Sequence, residues 1–364
     1  MAVARELTVS VDAMGGDAGP GIVITALQRS IQRHPEVRFL LVGDESILNG
    51  LLARHARLKD RVQVRHAPDR VAMEDKPSHV LRRGRETSMW RAIEAVKNKE
   101  AEVAVSAGNT GALMAMSMYQ LGVIEGISRP AIASIWPTLR GQSVVLDCGA
   151  NVTATAEQLV DFAVMGEAFA HAIFGLDKPS VGLLNVGTEE MKGNEDVKGA
   201  HVLLKSADAL PLTYKGFIEG DQIGQGIVDV IVTEGFAGNI ALKTAEGTAR
   251  QIGTYLKAAM TSSFASKLGA LLASGGFRVL KEKMDPRRVN GGTFLGLNGI
   301  AVKSHGGADA FGFASAVDLA YDMADSGLIA RLSADISDFH DRPSVAGAGG
   351  IPPQSSAGSA LGKA

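Results

Sequence analysis

The sequence predicts an α/β protein on a doubly wound, mostly parallel sheet in three α/β/α layers, and three observations carry that reading. Short runs nearly continuous in valine, leucine and isoleucine recur along the chain, as in strands covered on both faces. Glycine-rich loops close these runs: 43 of the 364 residues are glycine, about 12% against an average near 7%. Stretches of helical period separate the runs, so strand, loop and helix alternate. In order, ELTVSVDAMGG, VRFLLVGD, AEVAVSAGN, SVVLDCGAN, SVGLLNVG and VDVIVTEGFAGN each read as a strand and its closing loop, and Ala156 to Phe174 has the helical period. No repeat of solenoid length and no Pro/Ser-rich linker interrupts the chain before residue 340. Residues 1–340 are therefore expected to form one α/β domain, a pattern also compatible with two lobes. The stretch 341–364 is small and polar, too poor in large apolar residues to offset its ordering entropy, and is expected to be a disordered tail.

Composition excludes several classes. Lysine plus arginine number 37 against 39 aspartate plus glutamate, without the basic excess of a dedicated nucleic-acid binder. The single cysteine, Cys148, has no internal disulfide partner, and the first residues lack the apolar run of a signal peptide, so the cytoplasm is the expected compartment. No apolar stretch approaches the roughly 18 residues of a bilayer span. GxGxxG, GxxxxGK[ST], GxSxG, HExxH and CxxC are all absent, which leaves dinucleotide, P-loop, serine-hydrolase and zinc chemistry without a signal.

In open α/β sheets ligands bind outside the carboxyl ends of strands, and there the unusual residues cluster. DAMGGD places Asp12, Gly15 and Gly16 where backbone N–H groups either line a concavity or close a tight turn. SAGNTGA sets Ser106, Asn109 and Thr110 at a helix start, as an N-cap or an oxyanion cradle. LDCGAN carries Asn151; LLNVGTEEMKGN carries Asn185, Lys192 and Asn194, with Lys192 either a phosphate ligand or a solvated lysine; TEGFAGN carries Glu234 and Asn239. VKSHGGAD supplies Lys303, Ser304 and His305, the last a candidate for proton transfer, for an oxyanion hydrogen bond, or for capping. With no metal cluster, the set describes a site for a small tetrahedral anion or an anionic intermediate, and no cofactor is expected.

These loops, with GFIEGD and LGLNGIAVKSHGGAD, follow the order of the PlsX phosphate acyltransferases, which the chain resembles from about residue 8 to 325. Glu234 stands where that family usually has aspartate, and Gly307-Ala308 where small hydroxyl residues are common. The resemblance implies a fold of the isocitrate and isopropylmalate dehydrogenase type, usually as a homodimer. It implies attack of inorganic phosphate on the thioester of a long-chain acyl-acyl carrier protein, giving acyl phosphate for a membrane glycerol-3-phosphate acyltransferase at the start of phospholipid synthesis. In that chemistry Lys192 and the loop of Ser106, Asn109 and Thr110 would hold phosphate, with His305 near the carbonyl and Asn239 among the catalytic candidates. Attack is expected to be direct, the alternative being an acyl enzyme on Cys148. Competing readings are a phosphate acetyl- or butyryltransferase on acyl-CoA, a decarboxylating dehydrogenase on the same fold, and a membrane-attached scaffold that recruits acyl carrier protein.

Two surfaces complete the expectation. Between residues 255 and 284, Leu256, Met260, Phe264, Leu268 and Leu272 recur at four-residue spacing with Lys267, Arg278, Lys281 and Lys283 nearby, a stripe for the core, a partner copy or peripheral membrane contact. Arg82, Arg83 and Arg85 form a basic cluster fit to dock an acidic carrier protein, or simply a solvated helix start.

Overall fold

The structure, a computed structural model, describes residues 6–206, 210–283 and 285–340; the expected tail from Asp341 lies outside them. Its strands are β1 (Thr8–Asp12), β2 (Arg38–Gly43), β3 (Val62–His66), β4 (Val103–Ser106), β5 (Ala131–Thr138), β6 (Gly141–Leu146), β7 (Ser180–Leu184), β8 (Thr213–Ile218), β9 (Val230–Val232), β10 (Gly292–Leu295) and β11 (Ile300–Lys303). The helices are α1 (Pro20–Arg33), α2 (Glu45–Leu52), α3 (Pro77–Arg83), α4 (Ser88–Lys97), α5 (Thr110–Leu121), α6 (Ala156–Phe174), α7 (Glu195–Lys205), α8 (Gly235–Thr261), α9 (Phe264–Leu272), α10 (Ser274–Lys283), α11 (Ala310–Asp325) and α12 (Leu328–His340).

All described strands join one sheet in the order β3-β2-β1-β4-β11-β10-β5-β6-β9-β7-β8. Alternate residues feed two cores, as the period of two requires. Val9, Val11, Phe39, Leu41, Val144 and Leu146 face the layer of α1, α6, α11 and α12, where Phe162, Phe169 and Phe313 are fully buried. Ala104, Ile132, Val145 and Phe294 face the opposite layer, led by Met89, Trp90 and Ile93 of α4 and Leu113 and Met116 of α5. Local sequence starts the helices: a Thr155–Gln158 capping box opens α6, and the Asn109 side chain accepts the Ala112 N–H to open α5.

The strand directions differ from the simple pattern of one row of strand ends. β3, β2, β1, β4 and β11 are parallel to one another, as are β6, β9, β7 and β8. Between them β10 is antiparallel to both β11 and β5, and β5 is antiparallel to β6, so the two parallel halves point in opposite directions. Loops after β1, β4 and β11 leave at one rim of the sheet; loops after β6, β7 and β9 leave at the other. Direction is set by pairing between strands distant in sequence, which apolar runs do not encode. Among the described residues no helix is long and apolar enough to cross a membrane.

Candidate active site

At the first rim, three neighbouring strands end in one register row, Asp12 beside Ser106 beside Lys303. Asp12 is buried and organises the row. Its Oδ1 accepts the N–H of Met14 at 3.2 Å and of Gly15 at 3.1 Å and the Ser88 hydroxyl at 2.6 Å, and its Oδ2 accepts the Ser106 hydroxyl at 2.6 Å. Burial pushes its carboxyl above the usual range, and these hydrogen bonds counteract the rise. The turn requires glycine: a Cβ on Gly15 would lie 2.5 Å from Asp12 Oδ2 and 2.8 Å from the Gly108 nitrogen, and Gly16 has φ +87°. The Asp17 N–H donates to the Gly306 carbonyl at 3.0 Å, lacing this loop to the one after β11.

Lys303 closes β11 with its ammonium drawn inward, donating to the Ala107 carbonyl at 3.3 Å and to that of Ser304. Burial lowers its pKa to about 8, against the pull of Asp17 and Asp12. The next residues are held by Asn290, whose Nδ2 donates to the Ser304 hydroxyl at 2.9 Å and the Gly312 carbonyl at 2.8 Å, and whose Oδ1 accepts the His305 N–H at 3.0 Å. Nδ1 of His305 accepts the Gly307 N–H at 3.1 Å. That assigns the neutral ring its proton on Nε2, which is thereby a donor.

The second rim repeats the device with Asp147. Its Oδ1 accepts the N–H groups of Ile132, Gly149 and Ala150 at 3.0, 3.1 and 2.9 Å; its Oδ2 accepts the N–H of Asn151 at 2.6 Å and the Asn151 side-chain amide at 2.9 Å. The first turns of α8 sit on this loop. A Cβ on Gly238 would overlap the Asp147 carbonyl oxygen, and one on Gly235 would lie 2.5 Å from that of Asn151. Asn239 lies against Gly149 as a result. Cys148 is buried here, and burial pushes its thiol up to about 12.

Between the rims, a cleft of about 740 Å³ crosses the face of β5, which runs through both. Thr110, Lys303, Ser304, His305 and Asn290 line one end, Cys148, Gly149 and Asn239 approach from the other rim, and much of the remaining wall is apolar. The volume lies within the roughly 300–1,000 Å³ of small-molecule sites. Cation, imidazole donor and hydroxyl on one wall, with the Asn239 amide from the other rim, can hold an oxyanion and stabilise a second one forming beside it.

Of the residues expected from sequence, Thr110, Asn239 and His305 line this cleft. Asp12, Gly15, Gly16, Ser106 and Asn109 support it from behind: Ser106 Oγ accepts the Gly108 N–H at 3.0 Å, and the Asn109 amide donates to the Met73 and Asp75 carbonyls at 2.7 and 3.1 Å. Asn151 is spent within the Asp147 loop. Lys192, Asn185 and Asn194 are not part of the lining; they make their own loop after β7, Asn185 donating to the Lys192 carbonyl at 3.1 Å and Asn194 capping α7 through the Val197 N–H at 2.8 Å, with Lys192 exposed. Arg82, Arg83 and Arg85 are exposed on α3 and the turn after it, where Gly84 packs against Met116 in the middle of α5. Leu256 and Met260 are half-buried on α8, while Phe264, Leu268 and Leu272 are exposed on α9; Met284 lies outside the described residues. Sequence reasoning counted Lys303 in an anion-binding loop without giving it a role of its own, and did not single out Asn290. The available signal for Lys303 was a charged residue closing an apolar run, IAVK, as Asp12 closes VSVD.

The sequence matches the model of the family described as "Fatty acid synthesis protein" over residues 7–331. Among curated proteins, a phosphate acyltransferase of Rhizobium meliloti is 57% identical over 333 residues, covering 91% of this chain and 96% of its own length. One from Xanthobacter autotrophicus is 59% identical over 325 residues, covering 89% and 91%. Among solved structures, a phosphotransacetylase of Streptococcus pyogenes superposes with TM-score 0.60 at 16% identity, over 89% of this chain and 95% of that one. Another from Staphylococcus aureus gives 0.58 at 17%, over 88% and 94%. At those identities the likeness establishes a shared fold.

Proposed function

This chain belongs to the fatty acid synthesis protein family and is a phosphate acyltransferase, and from that premise we propose that it moves a long-chain acyl group from acyl carrier protein to inorganic phosphate in the cleft over β5. The observation that carries the reading is the meeting, in one cleft, of a half-buried ammonium, a histidine Nε2 donor and an apolar wall. Lys303, rather than the exposed Lys192, neutralises phosphate, with Thr110 beside it and the loops organised by Asp12 and Ser106 behind. A phosphate oxygen attacks the thioester carbon, forming the C–O bond and a tetrahedral oxyanion. Nε2–H of His305 and the Asn239 amide stabilise that oxyanion, each well-placed donor contributing roughly 3 to 4 kcal/mol. Collapse breaks the C–S bond and the carrier thiolate departs; with a thiol pKa near 8.5 it leaves readily. Phosphate is already anionic at neutral pH, so positioning outweighs the need for a strong base. An acyl enzyme on Cys148 is disfavoured by the same burial that raises its thiol to about 12.

The exposed Arg82, Arg83 and Arg85 dock the acidic carrier, Arg85 lying over the Trp90 ring at 5.9 Å. The apolar residues exposed on α8 and α9, Tyr255, Phe264, Leu268, Leu271 and Leu272, support contact with a membrane surface or a second copy in a homodimer, from which acyl phosphate passes to a membrane glycerol-3-phosphate acyltransferase. The test mixes purified protein, palmitoyl-acyl carrier protein and inorganic phosphate, then traps product with hydroxylamine. Phosphate-dependent palmitoyl hydroxamate with release of the carrier thiol is expected. Hydroxamate only from short acyl-CoA would replace the reading with a short-chain phosphotransacylase.

A further inference from the structure

We infer that the arm of the cleft between the outer half of β5 and one face of α8 holds the substrate's acyl chain, and that Ala245 and Ala249 set the chain length accepted. The inference rests on the acyltransferase reading above and deepens it.

β5 outruns its neighbour β10. Pairing with β10 covers Ala131–Ser134, whereas Ile135–Thr138 pair only with β6, which leaves one edge of the outer half free of strand. The cleft fills that edge, with Ile135, Trp136 and Leu139 on one wall. The other wall is α8. This helix is largely exposed, with only Gly235 and Gly238 buried, yet Leu242, Ala245 and Ala249 are half-buried and line the cleft. Their spacing of three and then four residues puts them on one helix face. Two alanines there leave open the width that larger side chains would close.

The occupant follows from chemistry. A pantetheine arm carries two amides that need partners, whereas an alkyl chain needs none and gains from leaving water. Ile135, Trp136, Leu139, Leu242, Leu280 and the two alanines give the arm apolar walls, with Lys243, Glu246 and Lys283 also in the lining, and the arm belongs to the same cleft as Lys303 and His305. At the far end Leu139 is 89% exposed. A long chain therefore lies along α8 with its terminus toward solvent or lipid. Each buried methylene contributes about fourfold in affinity.

The test measures kcat/KM for acyl carrier protein loaded with ten- and sixteen-carbon chains. In Ala249→Trp the ratio of sixteen- to ten-carbon activity is expected to fall at least about tenfold, the loss of two or more buried methylenes, and Ala245→Phe to lower it in the same direction. Thr248→Trp, on an exposed face of the same helix, is expected to keep the wild-type ratio. Folded Ala249→Trp and Ala245→Phe proteins with the wild-type ratio would overturn the assignment, as would an unchanged ratio with altered subunit association, which would make this face a contact between copies. A second measurement needs neither variant to fold. Of the two tryptophans, Trp136 lines the arm, so a brominated acyl chain on the carrier should quench emission of the wild type but not of Trp136→Phe; equal quenching of both, or of neither, overturns the inference. A wild type that turns over no donor of either length would refute the parent reading and this one with it, whereas turnover with an unshifted ratio refutes the groove alone.

Discussion

Replacing Lys303 with methionine is expected to make the protein more stable at neutral pH and much poorer at using phosphate. Lowering an ammonium from its ordinary 10.5 to about 8 corresponds to roughly 3 kcal/mol at ~1.4 kcal/mol per pH unit. The unfolded chain keeps this proton up to about pH 10.5 and the folded chain releases it near 8, so between those values the unfolded state binds more protons and stability rises with pH. Below pH 8 the whole cost is present. Methionine fills similar space without charge and removes that cost. It also leaves the Ala107 and Ser304 carbonyls without their donor, at about 1 kcal/mol each. The net gain is therefore about 1 kcal/mol at pH 7; it should reach zero at about pH 9 and turn into a loss approaching about 2 kcal/mol above about pH 10.5, where only the two unpaired carbonyls still count. Charged hydrogen bonds contribute about 1.5 to 3 kcal/mol, so kcat/KM for phosphate should drop about 10- to 150-fold. Urea unfolding at pH 7 and pH 10 and a phosphate titration with hydroxylamine trapping measure both quantities. A variant clearly less stable than wild type at pH 7, with a gap that does not change by pH 10, would refute the buried-ammonium argument. An unaltered phosphate dependence would remove Lys303 from the site.

Three further outcomes are expected. Cys148→Ser should keep kcat within about threefold of wild type, because the thiol is protonated and buried; a loss beyond about 100-fold, with no hydroxamate, would bring back the acyl enzyme. Gly238→Ala should lower stability in urea by about 1 to 3 kcal/mol and reduce activity, since its Cβ would overlap the Asp147 carbonyl; wild-type stability and activity together would show that α8 can shift freely. Phe264→Asp with Leu268→Asp should weaken co-sedimentation with anionic phospholipid vesicles while leaving turnover of soluble acyl carrier protein near wild type. Undiminished sedimentation would assign that surface to another contact.

What the sequence made legible was local. The runs ending in Asp12, Ser106, Asp147 and Asn185 are strands or their immediate ends, and the helical period from Ala156 to Phe174 coincides with α6. β5 and β10 escaped notice because the turns behind AIASIWPT and GTFL lead straight into another strand and not into a helix, and their antiparallel pairing is not encoded in the apolar runs. Of the lining of the candidate cleft, Thr110, Asn239 and His305 stand in loops that the sequence singled out. Lys303 and Lys192 look alike in sequence, each polar and near glycines after an apolar run. Only burial separates them, and burial depends on the neighbouring strands. Leu242, Ala245 and Ala249 bear no chemical mark at all; their place on a wall follows from the seating of α8 on the Asp147 loop.

The opposed half-sheets have an electrostatic consequence. Helices that follow strands begin at the strands' carboxyl ends, so α5 opens at one rim and α8 at the other, and Thr110, the first residue of α5, and Asn239, one turn into α8, line the same cleft. Each helix start carries the equivalent of roughly half a positive charge. The cleft is thus bounded by two separate positive poles rather than one. When an anion attacks a carbonyl, negative charge must persist on the nucleophile while more accumulates on the carbonyl oxygen, and a single pole would crowd the two together. In the proposed reaction the second pole adds to His305 in drawing the carbonyl oxygen's charge away from the phosphate, and the reversal of strand direction at β10 and β5 is what sets the two poles apart.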